Sequence, residues 1–255
     1  MGVSVSRNIL DLYEPLNTLK PVAPDVWIAD GPQVLFNYFH LMKIPFSTRM
    51  TVVKLKTGDL WVHSPISLTP DLKAEIVALG PVRALISSNQ IHTTWLADWQ
   101  AAFPDAAIFA APGSAKRLAQ AGAAAKKDLG AGAEALWRGE IDQLVIQGSY
   151  MAEVEFFHRP TRTLILTDLI ENFEPSRIHS RFWRVMMKWF QAADPDGSLT
   201  KDLRATFGGK YRAGLKDAVE TMISWQPERI VISHGRWYEK DGVAELRRAF
   251  RWLLD

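Results

Sequence analysis

Apolar and polar positions along this chain alternate between a period of two and a period near 3.6, the layout of strands interleaved with helices. Val26-Trp27-Ile28-Ala29-Asp30-Gly31 reads as a short strand closed by a glycine, and residues 49–56 alternate as a half-buried strand does. Thr57-Gly58-Asp59 turns the chain into Leu60-Trp61-Val62-His63, so the two strands predict a hairpin. Thr69 as N-cap and Pro70 at the first helical position start a helix that ends at Leu79, before Gly80-Pro81. Residues 82–87 are a short apolar strand, 93–103 a helix, and 106–111 a strand of small residues. Pro112-Gly113-Ser114 opens a further helix through Ala121. The Ala-, Gly- and Lys-rich stretch 122–132 predicts a surface loop or a frayed helix.

Strands resume at 141–146, 154–157 and 163–167, with Arg159-Pro160-Thr161 as a turn between the last two. A helical region follows in which Phe182, Trp183, Val185, Met186, Trp189 and Phe190 make a wide apolar face. That face is expected to pack on a sheet or cap a crevice; docking of a partner, a membrane surface or a second copy is the alternative. Residues 215–225 form a helix by spacing, 229–233 a buried strand, and 242–254 a terminal helix. No repeat of fixed period is visible, and strands followed by helices, twice over, suit a sheet-on-sheet core with helices outside.

Composition narrows this pattern. At 255 residues, 47% hydrophobic and 23% charged, the chain can bury a full core, and one domain is expected. A net charge of +2 is too small to call for a nucleic-acid or membrane partner. There is no cysteine, so a metal would have to be held by His, Asp or Glu, and a reducing, cytoplasmic location is the expectation. The first eleven residues lack a basic start and an apolar run, and no stretch has the length of a membrane span. Met1-Gly2 followed by Ser6 matches a loose acylation pattern of a kind that arises by chance. Assembly as a homo-oligomer is compatible with this composition.

Polar residues recur at one kind of position: the carboxyl end of an apolar strand. His63 follows Leu60-Trp61-Val62, Asn89 and His92 follow Ala84-Leu85-Ile86, Asp168 follows Leu164-Ile165-Leu166, and His234 follows Ile230-Val231-Ile232. In layered α/β folds ligands collect at such strand ends. Imidazole and carboxylate together suit zinc, iron or manganese, and equally suit acid–base work without metal. A lone histidine after a strand is ordinarily a satisfied structural residue, and sequence spacing does not show convergence. His158, before Arg159-Pro160, is expected in a solvated turn; His40 and His179 are expected to be structural. Ser64, Ser87 and Ser88 lack a GxSxG elbow, and no Gly-rich phosphate loop is present.

These strand ends, as Val62-His63-Ser64, Ser88-Asn89-Gln90-Ile91-His92-Thr93-Thr94, Leu166-Thr167-Asp168 and Ile232-Ser233-His234-Gly235, resemble the metallo-β-lactamase superfamily over almost the whole chain. More narrowly, Glu14-Pro15-Leu16-Asn17, Thr48-Arg49-Met50-Thr51-Val52-Val53, Trp61-Val62-His63-Ser64-Pro65 and His234-Gly235-Arg236-Trp237-Tyr238 resemble a bacterial family on that fold with no assigned activity. The resemblance implies a four-layer αββα sandwich of two mixed sheets flanked by helices, and a hydrolase-like protein. It also implies an eroded metal motif. The four ligand positions of the superfamily's His-x-His-x-Asp-His fall on Asn89, Ile91, Thr93 and Thr94, and no histidine stands near Gly148-Ser149. His92, by a one-residue shift, together with Asp168 and His234 can supply ligands for at most one divalent metal, with His63, Asn89, Thr93 and Thr94 lining the crevice. A metal-free relative binding a small molecule in the same crevice is the competing expectation.

Overall fold

A computed structural model of the chain describes residues 9–38 and 42–255. His40 and the acylation pattern at Met1-Gly2 lie outside them. One sheet runs β1 (Lys20–Ala23), β2 (Val26–Tyr38), β3 (Met42–Lys54), β4 (Leu60–His63), β5 (Val82–Ser87), β6 (Ala107–Ala110) and β7 (Lys127–Asp128), in that spatial order. The other places β11 (Arg229–Val231) beside β10 (Thr163–Ile165), then β9 (Glu153–His158) and β8 (Ile141–Ile146). Both sheets are mixed. β1 to β4 pair antiparallel and β4 to β7 parallel; in the second sheet β10 and β11 are parallel and the other pairs antiparallel.

Period-two alternation divides the strand residues between two cores. Val53, Trp61, Ala84, Ile86 and Phe109 of the first sheet meet Val154, Phe156 and Ile165 of the second, and this cluster fills the space between the sheets. Their neighbours Val52, Val62, Leu85 and Ile108 point the other way, with Leu72 and Ile76 of α1 (Pro70–Leu79), Leu96 and Trp99 of α2 (Leu96–Ala102) and Leu118 of α3 (Ala115–Gln120). On the far side, Phe157, Leu164 and Ile230 pack with α5 (Lys201–Phe207), α6 (Arg212–Ser224), α7 (Gly242–Ala249) and α8 (Arg251–Leu254). The result is the αββα order of layers. Trp61 is wholly buried, so Trp61→Ala would cost about 3–5 kcal/mol.

Local signals set several boundaries as read. Thr69 accepts a hydrogen bond from the Leu72 amide at 3.2 Å and Pro70 opens α1. Other boundaries differ. β2 runs past Gly31 to Tyr38, and β3 begins at Met42 and ends at Lys54 rather than 56, so the two form one long hairpin with a register shift between Gly31 and Val34. α2 starts at Leu96 rather than Thr93, because residues 90–95 are drawn into turns beside the site. Within stretch 122–132, Lys127 and Asp128 pair with Phe109 and Ala110 as an edge strand. The terminal helix breaks at Phe250, which is fully buried between α7 and α8. α5 has apolar residues at Leu203, Ala205 and Phe207, too short a run for periodicity to expose. Among the described residues no helix is long and apolar enough to cross a membrane.

Candidate functional site

Because β10 and β11 pair in parallel, Leu166-Thr167-Asp168 and Ile232-Ser233-His234 leave the same rim of their sheet side by side. β4 and β5, also parallel, bring His63-Ser64 and Ser87-Ser88-Asn89 to the rim of the other sheet. Asn89 then bends the chain: its Oδ1 accepts from the amides of Ile91 (2.8 Å) and His92 (3.1 Å), and Ser87 Oγ donates to the carbonyls of Asn89 and His92. This turn aims His92 inward.

Three donor atoms converge there. His92 Nε2 lies 3.3 Å from Asp168 Oδ1 and 3.3 Å from His234 Nε2, and His234 Nε2 lies 3.1 Å from Asp168 Oδ1. Two ligands at about 2.0–2.1 Å from a tetrahedral zinc ion stand about 3.3 Å apart, so these separations match the edges of such a site. Each of the three groups is oriented from behind. His234 Nδ1 donates to the Ser47 carbonyl at 2.6 Å, which leaves its Nε2 free to serve as a ligand atom. His92 Nδ1 pairs with Ser64 Oγ at 2.5 Å, and Asn89 Nδ2 donates to Asp168 Oδ2 at 2.7 Å. Such partners fix ligand orientation and tune basicity.

The electrostatics follow from the same contacts. Burial by itself would lower the His92 pKa, but the charge and hydrogen bond of Asp168, with Glu153 behind it, outweigh that and raise it. Burial would raise Asp168; the charge of His92, the hydrogen bonds from His234 and His92, and the charge of His234 reverse this and hold it well below the usual carboxylate range. A buried clamp supports the His234 loop. Arg49 Nη1 donates to the carbonyls of Ile232 and Gly235, each at 2.8 Å, while its Nη2 meets Asp30 at 2.7 Å.

Not every strand-end residue joins the cluster. His63 is buried, stacked on Trp61 at 5.5 Å, with its Nε2 lacking a hydrogen-bond partner. Burial, aided by the charge of His92, lowers its pKa to about 3. Thr93 is buried and enters the turn through its backbone; Thr94 is exposed. The expectation of a solvated His158 is overturned. It is the last residue of β9, flanked by Ile141 and Thr163, 2% exposed, hydrogen-bonded to Thr161 Oγ1 at 2.7 Å, and its pKa falls to about 4 through burial. His179 is exposed and pairs with Asp11 at 2.8 Å.

Glu153 is the residue the sequence reading passed over. Its Oε1 accepts from Thr167 Oγ1 (2.7 Å) and from the amides of Asp168 (2.8 Å) and Leu169 (3.0 Å), and its Oε2 from Asn89 Nδ2 (3.1 Å). Behind it Glu155 is fully buried, and burial, then the Glu153 charge, push it well above the usual range. The signal is in the sequence: Glu153 and Glu155 fall on one face of a strand whose next residues, Phe156 and Phe157, are apolar.

The chain aligns over nearly its whole length with solved structures of metallo-β-lactamases, which shows the fold. The DIM-1 metallo-β-lactamase, in a structure exposed to ceftazidime, aligns at a TM-score of 0.61 with 12% identity, covering 96% of this chain and 97% of its own. A metallo-β-lactamase from Hirschia baltica aligns at 0.61 with 14% identity, covering 92% and 97%. FIM-1 from Pseudomonas aeruginosa, in its mono-zinc form, aligns at 0.58 with 13% identity, covering 93% and 96%. Comparison with curated proteins gives no match. Residues 25–182, more than half of the chain, match a family described as a domain of unknown function, DUF4336, and the chain belongs to that family.

Proposed function

We propose that this protein is a hydrolase-like member of the metallo-β-lactamase fold that holds a single divalent cation on His92, Asp168 and His234. The observation carrying the reading is the convergence of His92 Nε2, Asp168 Oδ1 and His234 Nε2 at 3.1–3.3 Å, each oriented by a separate partner. Two imidazoles and one carboxylate suit zinc, iron or manganese, and three protein ligands are the number a catalytic zinc site keeps when it leaves a position open. When bound, the cation would supply Lewis acidity toward water or a substrate carbonyl or phosphoryl oxygen. The chain's own part is orientation: Ser47 fixes the His234 ring, Ser64 the His92 ring, and Asn89 the Asp168 carboxylate. Asn89, Thr93 and Thr94 stand on the turn beside the cluster. The test is hydrolysis of ester, thioester, lactam and phosphodiester substrates by metal-loaded protein. Turnover lost with chelator, restored by metal and absent from Asp168→Asn is expected; turnover indifferent to chelator would contradict the reading.

The metal-free alternative, a crevice that only binds a small molecule, has one observation in its favour. Asp168 already has Asn89, His234 and His92 within 3.3 Å, so a proton on one imidazole leaves the cluster charge-compensated without an ion. Full metal loading under physiological zinc, iron or manganese would exclude it.

A further inference from the structure

The helix α4 (Arg181–Phe190) was expected to bury its aromatic face, and it buries only half of it. At about 100° per residue, its apolar side chains cover a continuous arc of roughly 200°. Met187 is buried, and Trp183 packs with it against Ile44, Phe46, Phe173 and Ile178. The other half of the arc points outward: Phe182 is 56% exposed, Val185 67% and Trp189 58%. Arg181, Arg184 and Lys188 occupy the narrow remaining arc, and among the described residues none of them forms an ion pair. No acidic residue occurs between Pro175 and Ala193, and Lys201 adds a cation 4.8 Å from the Trp189 ring.

We infer that α4 seats this protein on an anionic lipid bilayer surface, with Phe182, Val185 and Trp189 entering the headgroup boundary and Arg181, Arg184 and Lys188 meeting lipid phosphates. Two features select this occupant. The apolar side chains form a protruding ridge rather than a groove, which suits an interface that flows around side chains, and cations flanking aromatic residues are the composition of interfacial helices. A second copy of the chain would bring one triplet of cations against another, which opposes pairing through α4. The inference stands apart from the reading of the His–Asp–His cluster. The two meet at Phe46, which belongs to the α4 cluster and whose ring lies 4.9 Å from that of His234, so a docked α4 would hold the crevice near the lipid.

The experiment is co-sedimentation of the full chain with sucrose-loaded vesicles, either phosphatidylcholine alone or phosphatidylcholine mixed with phosphatidylglycerol. Binding to the anionic vesicles that weakens with salt, and little binding to phosphatidylcholine, is expected. Replacing Arg181, Arg184 and Lys188 together by Gln should lower the partition coefficient by about a hundredfold. The variant carrying Phe182→Ser and Trp189→Ser should lose binding while keeping the parent's melting temperature, since both side chains are mostly solvated. Three results would overturn the inference: no partition of the parent into anionic vesicles, partition unchanged in both variants, or a concentration-dependent dimer that the Phe182→Ser and Trp189→Ser protein fails to form.

Discussion

His63 at the end of β4 and His92 beyond the end of β5 stand at neighbouring parallel strands of one sheet, the first buried and the second partly so, yet they face different surroundings. His63 lies between the rings of Trp61 and Phe156 with nothing to hydrogen-bond its Nε2, so burial holds it neutral. His92 suffers the same desolvation, but Asp168 stands opposite its Nε2 and overturns the sign of the shift. Burial alone makes an imidazole an inert aromatic. A facing carboxylate, itself held by Asn89, reverses the shift and makes it part of the proposed cation site. His158, neutral at the end of β9, repeats the first case and His234 shares the carboxylate of the second.

The largest difference should appear on removing the carboxylate. Asp168→Ala should abolish binding of zinc in calorimetric titration, whereas His63→Phe should leave one equivalent bound. Similar losses in the two variants would erase the distinction between the two histidines. Next is the clamp behind His234. Arg49→Met removes both bonds to the Ile232 and Gly235 carbonyls and leaves the buried Asp30 with Lys20 alone, so urea unfolding should show a loss of about 3–5 kcal/mol. A loss below about 1 kcal/mol would mean that the His234 loop is held by other contacts.

Ser64→Ala should weaken metal binding by about 10–100-fold, because His92 loses the partner that orients its ring. An unchanged dissociation constant would show that the turn at Asn89 suffices.

The pH dependence separates the two histidine classes by sign. The folded pKa of His63 is lowered to about 3 from an unfolded value of 6.5, so its contribution is fully present above 6.5 and is lost as pH falls toward 3. Taking both values, this group alone removes about 2 kcal/mol between pH 7.5 and pH 5. Urea unfolding of the parent and of His63→Phe at several pH values should therefore converge toward neutrality, with the variant gaining about 2 kcal/mol on the parent by pH 5. Parallel curves would mean that His63 is solvated or charged in the fold.

Much of the scaffold was legible because its signals are local. The bounds of β4, β5 and β8 read as the structure has them, β4 and β5 as apolar runs beside turn residues, and the Thr69-Pro70 cap sets the start of α1. The strand-end rule led to His92, Asp168 and His234, since parallel pairing of β10 with β11 forces their carboxyl ends together. What the sequence hid was long-range. His63 occupies the same kind of strand end but turns against Trp61, and no spacing distinguishes it from a ligand. Glu153 and Arg49 act through partners far along the chain, at Thr167, Asp168, Ile232 and Gly235. His158 looked solvated beside Arg159-Pro160, but strands on both sides cover it. The exposed half of α4 carries the same apolar pattern as a buried helix, so only the packed structure shows which half meets solvent.

The central claim is that His92, Asp168 and His234 together form a one-cation site. Its most direct test is elemental analysis of protein made without a histidine tag, beside His234→Ala prepared in the same way. One equivalent of zinc, iron or manganese in the parent and none in the variant is the expected result. A parent free of all three metals, even after incubation with each and removal of the excess, would contradict it.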